Sequence, residues 1–376
     1  MLKSLFQELL RFTPGPAPLR RMGQYLIGIG LPLWFGLLVG EPVLGMFGAL
    51  GGLYAQFLDL GGPLRQRVSI VIGGTLALCA AFGLGTLLAG HGVFTLLALL
   101  PCYFFAGWLH GSGLWLENIA RFSAIVLTLS ATASPMFGAV ALYALGGLAL
   151  GLAIALLDGL LLGQPLSRND RNIRETLRAV WAGQHAGLRF SFCYGVMALA
   201  ALLMGLTLDA LHPAWASIAV IVVMRPDGAV SLHRSFQRLI GTLLGVAITA
   251  ALLLLAHNQL MLMTSVLLLA WLIPLGTTRH YWIGACLITV LVLLLLDIAW
   301  FQHGGDRQFL TDRLIDTVLG CLLGAIGTLA SFPDAWHSLR MTPTAPAIST
   351  ASPGDAPAPA APDATGLAPE PPHKPQ

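Results

Sequence analysis

The stretch Gln237-Arg-Leu-Ile-Gly-Thr-Leu-Leu-Gly-Val-Ala-Ile-Thr-Ala-Ala-Leu-Leu-Leu-Leu-Ala256 decides the fold. After Arg238 it runs for eighteen residues without a charge, and Gly and Thr are its only breaks. As a helix that run rises about 27 Å, close to the hydrocarbon thickness of a bilayer, which is about 30 Å. It is predicted to cross a membrane.

Reading outward, the same kind of run recurs along the chain. Spans are predicted near 24–40, 42–58, 68–89, 93–110, 119–134 and 137–162, and again near 190–208, 212–225, 237–256, 259–276, 281–300 and 313–332. Composition agrees. Of the 376 residues 56% are hydrophobic and only 10% charged, and mean hydropathy is +0.78. A soluble domain carries roughly 25% charged residues, so this chain lacks the charges to cover a water-facing surface. The expected fold is all-α and integral to the membrane, with about twelve transmembrane helices arranged as two parallel six-helix repeats.

Basic residues test the count through the positive-inside rule. With the N-terminus in the cytoplasm, eighteen of the twenty Lys and Arg fall on the cytoplasmic side, and only Arg307 and Arg313 fall outside. One miscounted helix would have destroyed that agreement, so both termini are expected in the cytoplasm. Five segments follow: an amphipathic N-terminal segment 1–22, a first six-helix repeat 23–163, a cytoplasmic linker helix within 164–188, a second repeat 189–335, and a disordered Pro/Ala-rich tail 336–376. Leu2, Leu5, Phe6, Leu9 and Leu10 have helical spacing, and no cleavable signal peptide is read before them. Arg171, Arg174 and Arg178 share a face of the linker, with Ile173, Leu177 and Val180 nearby.

A shift of 167 residues brings Gln66-Arg67 onto His233-Arg234 and Gly74-Thr75 onto Gly241-Thr242. Asp59 falls close to Asp227, and at a shift of 173 Gly147-x-x-x-Gly151 answers Gly320-x-x-x-Gly324. Six spans leave and return on one side, so the copies are expected to be parallel, about an axis along the membrane normal. The small-xxx-small pairs are expected to let the sixth helix of each half approach a neighbour closely.

A net charge of +3 gives no support to nucleic-acid binding. Cys79, Cys102, Cys193, Cys286 and Cys321 sit singly in apolar runs, which argues against a disulfide framework or a metal cluster. No phosphate loop, zinc-spaced His/Glu set or nucleophile elbow occurs, so neither an enzyme, a cofactor nor a metal is expected.

The densest charged group is Arg225-Pro-Asp227, followed by His233, Arg234 and Arg238. Arg234 and Arg238 are four apart and share a helix face. With Arg67 at the matching place they can form a basic vestibule that draws in an anion; they read equally as positive-inside anchors. Asp59 and Asp227 close turns and suit capping. Asp158, Asp297 and Asp316 interrupt or border apolar runs and are the candidates for proton coupling. Snorkelling to water accounts for the first two as well. Arg313 and Asp316, three apart, permit an intrahelical pair. Asp209, His212 and Glu41 sit at outer turns. Pro32, Pro101, Pro213 and Pro274 suggest kinked or interrupted helices.

Against this background, His212-Pro-Ala-Trp215-Ala-Ser-Ile-Ala-Val-Ile-Val-Val-Met-Arg225-Pro-Asp227, then Arg234, Arg238 and Gly241-Thr-Leu-Leu-Gly245, resembles the fusaric acid resistance (FUSC), or aromatic acid exporter, family. Arg313-Leu-Ile-Asp316-Thr317-Val-Leu-Gly320-Cys-Leu-Leu-Gly324 is similar to that family's last helix. The first half has Arg67 and Gly74-Thr75 but no Trp at the place of Trp215. The resemblance implies a proton-linked exporter in a bacterial inner membrane for aromatic or other hydrophobic weak acids, and the candidate path residues of this chain are Arg67, Trp215, Arg225, Asp227, Arg234 and Arg238. Its partners would be the lipid bilayer and a small organic anion. Larger members carry a cytoplasmic domain and work with a periplasmic adaptor protein, so an adaptor and a homo-oligomer are both open. A passive organic-anion channel and a non-transporting envelope scaffold are the alternative functions.

Overall fold

The computed structural model describes residues 15–132, 139–163, 172–208, 212–255, 258–300 and 307–333. The N-terminal amphipathic residues 1–14 and the Pro/Ala-rich tail lie outside them, as do residues 164–171 of the linker. Among the described residues the chain is entirely helical. The helices are α1 Leu19–Leu38, α2 Pro42–Leu58, α3 Leu64–Leu88, α4 Val93–Trp108, α5 Leu114–Thr132, α6 Ala139–Leu161, α7 Ile173–Trp181, α8 Leu188–Thr207, α9 Ala214–Val223, α10 Gly228–Leu255, α11 Gln259–Arg279, α12 Tyr281–Trp300 and α13 Arg307–Ser331.

Eight of them, α3, α5, α6, α8, α10, α11, α12 and α13, are long and apolar enough to cross a membrane. The chain is a multi-pass membrane protein. Its outer surface carries large apolar side chains in the open, among them Leu76, Leu87, Phe94, Leu142 and Leu244, where a soluble protein would place charges. Helices α2, α4 and α9 are apolar but shorter.

Several helices start earlier than hydropathy predicts. Helix α5 opens at Leu114 rather than 119, α10 at Gly228 rather than 237 and α13 at Arg307 rather than 313. Helix α1 opens at Leu19 and takes in the last residues of the expected N-terminal segment. Hydropathy loses a helix where arginines gather. Here Arg67, Arg121, Arg238 and Arg313 are buried against neighbouring helices, and the backbone stays helical through them. By contrast α2 and α12 have the predicted bounds.

Packing follows one scheme twice. In the first half α1 packs on α2, α2 on α6, α3 on α5 and α6, and α4 on α5. Seven helices later α8 packs on α9, α9 on α13, α10 on α12 and α13, and α11 on α12. The contacts between the halves obey the same exchange: α4 meets α8 as α11 meets α1, and α5 meets α9 as α12 meets α2. The two largest buried clusters fill these two seams. One joins Leu99, Tyr103, Ala124, Tyr194, Val220 and Ile221; the other joins Ile29, Leu53, Val266, Ile273 and Leu294.

Glycine sets the distances. A Cβ on Gly147 would stand 1.9 Å from the Gly48 carbonyl oxygen, so α6 lies backbone-to-backbone on α2. A Cβ on Gly320 would stand 2.4 Å from the Ala216 carbonyl oxygen, and α13 lies on α9 in the same way. Both glycine pairs read from the sequence thus hold a sixth helix against a second one.

The linker helix α7 is amphipathic, and Asn172 and Glu175 close a capping box at its start. It is pinned beneath α5, where Trp115 Nε1 donates to Thr176 Oγ1 at 2.8 Å. Its Trp181 is 91% exposed.

Candidate functional site

Arg67 begins from a costly position. Its side chain has no exposed surface, and a buried guanidinium requires compensating charge. It has two carboxylates. Nε donates to Asp59 Oδ1 at 2.8 Å, and Nη2 donates to Asp59 Oδ2 at 2.6 Å and to Asp158 Oδ2 at 3.0 Å. Arg20 closes on Asp158 from the start of α1 and also donates to the Asp158 carbonyl at 2.9 Å. Arg21 donates to Asp59 Oδ2 at 3.2 Å. Burial raises the Asp59 carboxyl, but the Arg67 hydrogen bonds and the Arg21 and Arg67 charges outweigh it and hold the group below the usual carboxylate range. Five ionic side chains thereby tie the starts of α1 and α3 to the ends of α2 and α6. Of the sequence candidates, Arg67 and Asp158 belong to this network, separate from the others.

The second half is built differently. Helix α9 is only ten residues long, about 15 Å, and eight of its ten residues are buried. At its start Trp215 is buried, and the Arg313 guanidinium lies 4.4 Å from the centre of its ring. At its end the chain leaves the helix at Met224, and Arg225 follows, buried, with Nη1 unpartnered. Ser231 stitches this turn: its hydroxyl accepts from the Arg225 N–H at 3.2 Å and meets Thr328 Oγ1 at 2.7 Å. Asp227 is exposed and accepts from the Val230 N–H at 2.9 Å, which is the capping role.

Helix α10 then presents Arg234, Arg238 and Thr242 four residues apart, on one face. Arg234, half-buried, lies 5.0 Å from the Tyr281 ring centre, and Arg121 of α5 is close enough to feel its charge. Arg121 meets Glu117 at 3.6 Å but leaves Nε unpartnered, as Tyr281 leaves its hydroxyl. One turn deeper, Arg238 is close enough to act electrostatically on Arg313, as is Asp316. Arg238 Nε, Thr242 Oγ1, Arg313 Nε and Asp316 Oδ2 are all buried without a hydrogen-bond partner among the described residues. The intrahelical pair expected of Arg313 and Asp316 does not form within ion-pairing distance among the described residues. Asp297 lies apart, half-buried near the end of α12.

The structure thus places Trp215 and Arg225 at opposite ends of α9 and Arg234, Arg238 and Asp316 along α10 and α13, with Asp227 exposed in the turn before α10, Arg67 and Asp158 in the separate ionic network and Asp297 apart. It adds Arg121, Thr242, Tyr281 and Arg313. The sequence signals for these were faint: Arg121 counted only as a positive-inside charge, and Thr242 only as half of a repeated Gly-Thr. No cluster of His, Cys, Asp and Glu able to hold a metal occurs among the described residues.

A seam between the halves borders this group. Tyr103 Oη meets Thr128 Oγ1 at 2.7 Å and accepts from Ser217 Oγ of α9 at 3.4 Å. His110, in the turn after α4, donates from Nδ1 to the Ala106 carbonyl at 2.8 Å and packs on Phe190 and Tyr194 of α8. Burial, with the Arg121 charge, brings its imidazole down to about 3, so it is neutral.

Comparison with known proteins finds relatives of part of the chain. The chain is 27% identical over 139 residues to an uncharacterized membrane protein, YvaC, of Bacillus subtilis, covering 36% of this chain and 22% of that one. It is 28% identical over 127 residues to an uncharacterized protein of Haemophilus influenzae and 32% identical over 130 residues to one of Synechocystis. These matches cover 34% of this chain in each case and 17% of each relative, so the chain spans about a fifth of the length of the curated relatives it matches. No solved structure gives a significant match. Residues 196–327, which hold α9, α10 and every unpartnered group of the deeper cluster, match the family described as fusaric acid resistance protein-like.

Proposed function

We propose that the chain is a secondary transporter of a bacterial inner membrane that exports aromatic or other hydrophobic organic acids, linked to the proton gradient and without an enzymatic step. The observation that carries this reading is the line of buried cationic and hydroxyl groups along α10, incompletely paired and set within the region that matches the family. Ionisable groups at membrane depth are costly, and a solute path is a common reason to keep them. Their positive charge suits an organic anion, and the apolar walls around Trp215 suit its hydrophobic body.

In this reading all twelve apolar helices cross the bilayer as two parallel six-helix repeats, with both termini cytoplasmic. The doubled packing scheme supports it. So do the second helices of the halves, α2 rich in glycine and α9 unusually short, since short or interrupted helices at matching places mark the binding region in repeat transporters. Asp316 is the coupling acid favoured here, being buried beside Arg313 with an unpartnered oxygen. A periplasmic adaptor and self-association are the partners the reading admits.

Uptake of radiolabelled benzoate into inverted membrane vesicles, with and without an imposed proton gradient, tests it. Accumulation that depends on the gradient is expected. Flux that follows only the anion's own gradient would make the protein a channel, and absence of any flux would overturn transport of this class of solute.

A further inference from the structure

We propose that Arg238, Arg313 and Thr242 form a binding site for the carboxylate of one amphiphilic organic anion, with Asp316 as the internal counter-ion that the anion replaces. The proposal rests on the transport reading above and fixes where in the chain the anion is held.

The four residues are at least nine-tenths buried: Arg238 is 8% exposed, Thr242 0%, Arg313 7% and Asp316 2%. Each leaves a polar atom unpartnered: Nε, Oγ1, Nε and Oδ2 respectively. A buried polar atom without a partner costs about 1–3 kcal/mol, and more when charged. Other buried atoms among the described residues share this state, Gln56 Oε1 and Ser123 Oγ among them, but here four such groups lie on two packed helices, α10 and α13. The protein also contains the alternative, since buried Arg67 is held by Asp59 and Asp158. Arg67 also leaves Nη1 without a partner among the described residues, so what sets Arg238 and Arg313 apart is that neither is within ion-pairing distance of a carboxylate there.

Three donors without acceptors call for an acceptor. A carboxylate has two oxygens and accepts from guanidinium N–H groups and a hydroxyl together. The two guanidiniums face the Asp316 carboxylate, with half-buried Asp312 also near enough to act on Asp316, so a monovalent anion suits the group better than a divalent one. The same two guanidiniums repel a metal cation. Trp215, Val246 and Leu293, with Leu310 and Leu314, form an apolar cluster beside Arg313, so the ligand carries a hydrophobic body. Asp316 is near enough to offset the Arg313 guanidinium but forms no ion pair with it among the described residues, so an arriving anion has no salt bridge to break there.

Binding of radiolabelled benzoate to the purified full chain in lipid nanodiscs tests the site. One benzoate per chain is expected. Arg238→Gln and Arg313→Gln are each expected to weaken binding at least about tenfold and Thr242→Val about threefold, while Asp316→Asn tightens it about tenfold. Wild-type affinity in the arginine variants would overturn the site, and unchanged or weaker binding in Asp316→Asn would overturn the counter-ion role. If the arginine variants fail to fold, Thr242→Val and Asp316→Asn decide alone: wild-type affinity in both overturns the proposal. Vesicle transport that persists unaltered through all four substitutions would reject this site and leave the transport reading standing. Wild-type protein that neither binds nor moves benzoate would reject both.

Discussion

Arg67 and Arg234 occupy the same place in the two halves, a few residues into the third helix and just ahead of a Gly-Thr. Arg67 is enclosed by Asp59 and Asp158, and Arg20 closes the network from α1. The counterpart of Asp59 is Asp227, which is still an acid but is exposed and caps its own turn, while the other two have different counterparts. Asp158 corresponds at the 173-residue shift to Ser331, which only donates to its own helix at Gly327. Arg20, at the start of the first helix, corresponds to Arg189, which is exposed. Arg234 is left to lie on Tyr281. The deeper charges show the reverse substitution: Arg238 and Arg313 correspond to Val71 and Val140, both buried apolar residues. One half uses its charges to fasten helices together. The other has no acid at the place of Asp158 and buries arginines whose Nε atoms have no hydrogen-bond partner among the described residues.

Removing the fastening acid should have the largest effect. Asp158→Ala leaves Arg67 buried with half its carboxylate pairing and is expected to destabilise the protein by about 3–5 kcal/mol. Thermal unfolding in detergent would register a marked fall in melting temperature; a fall of only a degree or two would mean that the two halves are not different in this respect. Next comes Arg313→Gln, whose counterpart is Val140 and which is expected to melt near the wild type. Its initial rate of benzoate flux should drop at least about tenfold, near 1.4 kcal/mol. A melting temperature that falls as far as that of Asp158→Ala would assign Arg313 to structure.

The seam between the halves should respond to pH. His110 is neutral in the folded protein with a value of about 3, against about 6.5 when unfolded. The unfolded chain therefore binds the extra proton below pH 6.5, and stability is lost as pH falls, by about 1.4 kcal/mol per unit until the folded value is approached. A melting curve measured from pH 7 to pH 5 checks this, with His110→Asn expected to flatten the slope. The smallest effect is expected from copying the first half into the second. Ser331→Asp places an acid where Asp158 stands in the other copy, and should slow benzoate flux about threefold by engaging Arg234. Unchanged flux would mean that Arg234 does not serve the path.

Much of the architecture can be read from hydropathy because membrane spans are long and uncharged; α2 and α12 have the bounds that their apolar runs predict. The starts of α5, α10 and α13 were misjudged for one reason: each start includes charged residues such as Glu117, Arg234 or Asp312, which a hydropathy window reads as loop. Pairing across the halves, such as α4 on α8, has no local signal. The site was half visible. Arg234, Arg238 and Trp215 are conspicuous as charges and an aromatic near apolar runs, whereas Arg121, Thr242 and Tyr281 are ordinary residues until their neighbours are known. Arg67 and Arg234 look alike in sequence, because the difference between them is a carboxylate ninety residues away.

The exchange of contacts between halves has a consequence for biosynthesis. Helix α1 is made well before its partner α11, which emerges only after α2–α6, the linker helix and three further helices have been translated. During that interval the face of α1 that later meets α11 has only lipid against it, and the seam beside α2 is half built. A ribosome that stalls or terminates after α6 would release a fragment with two unmated faces, a ready substrate for membrane quality-control proteases.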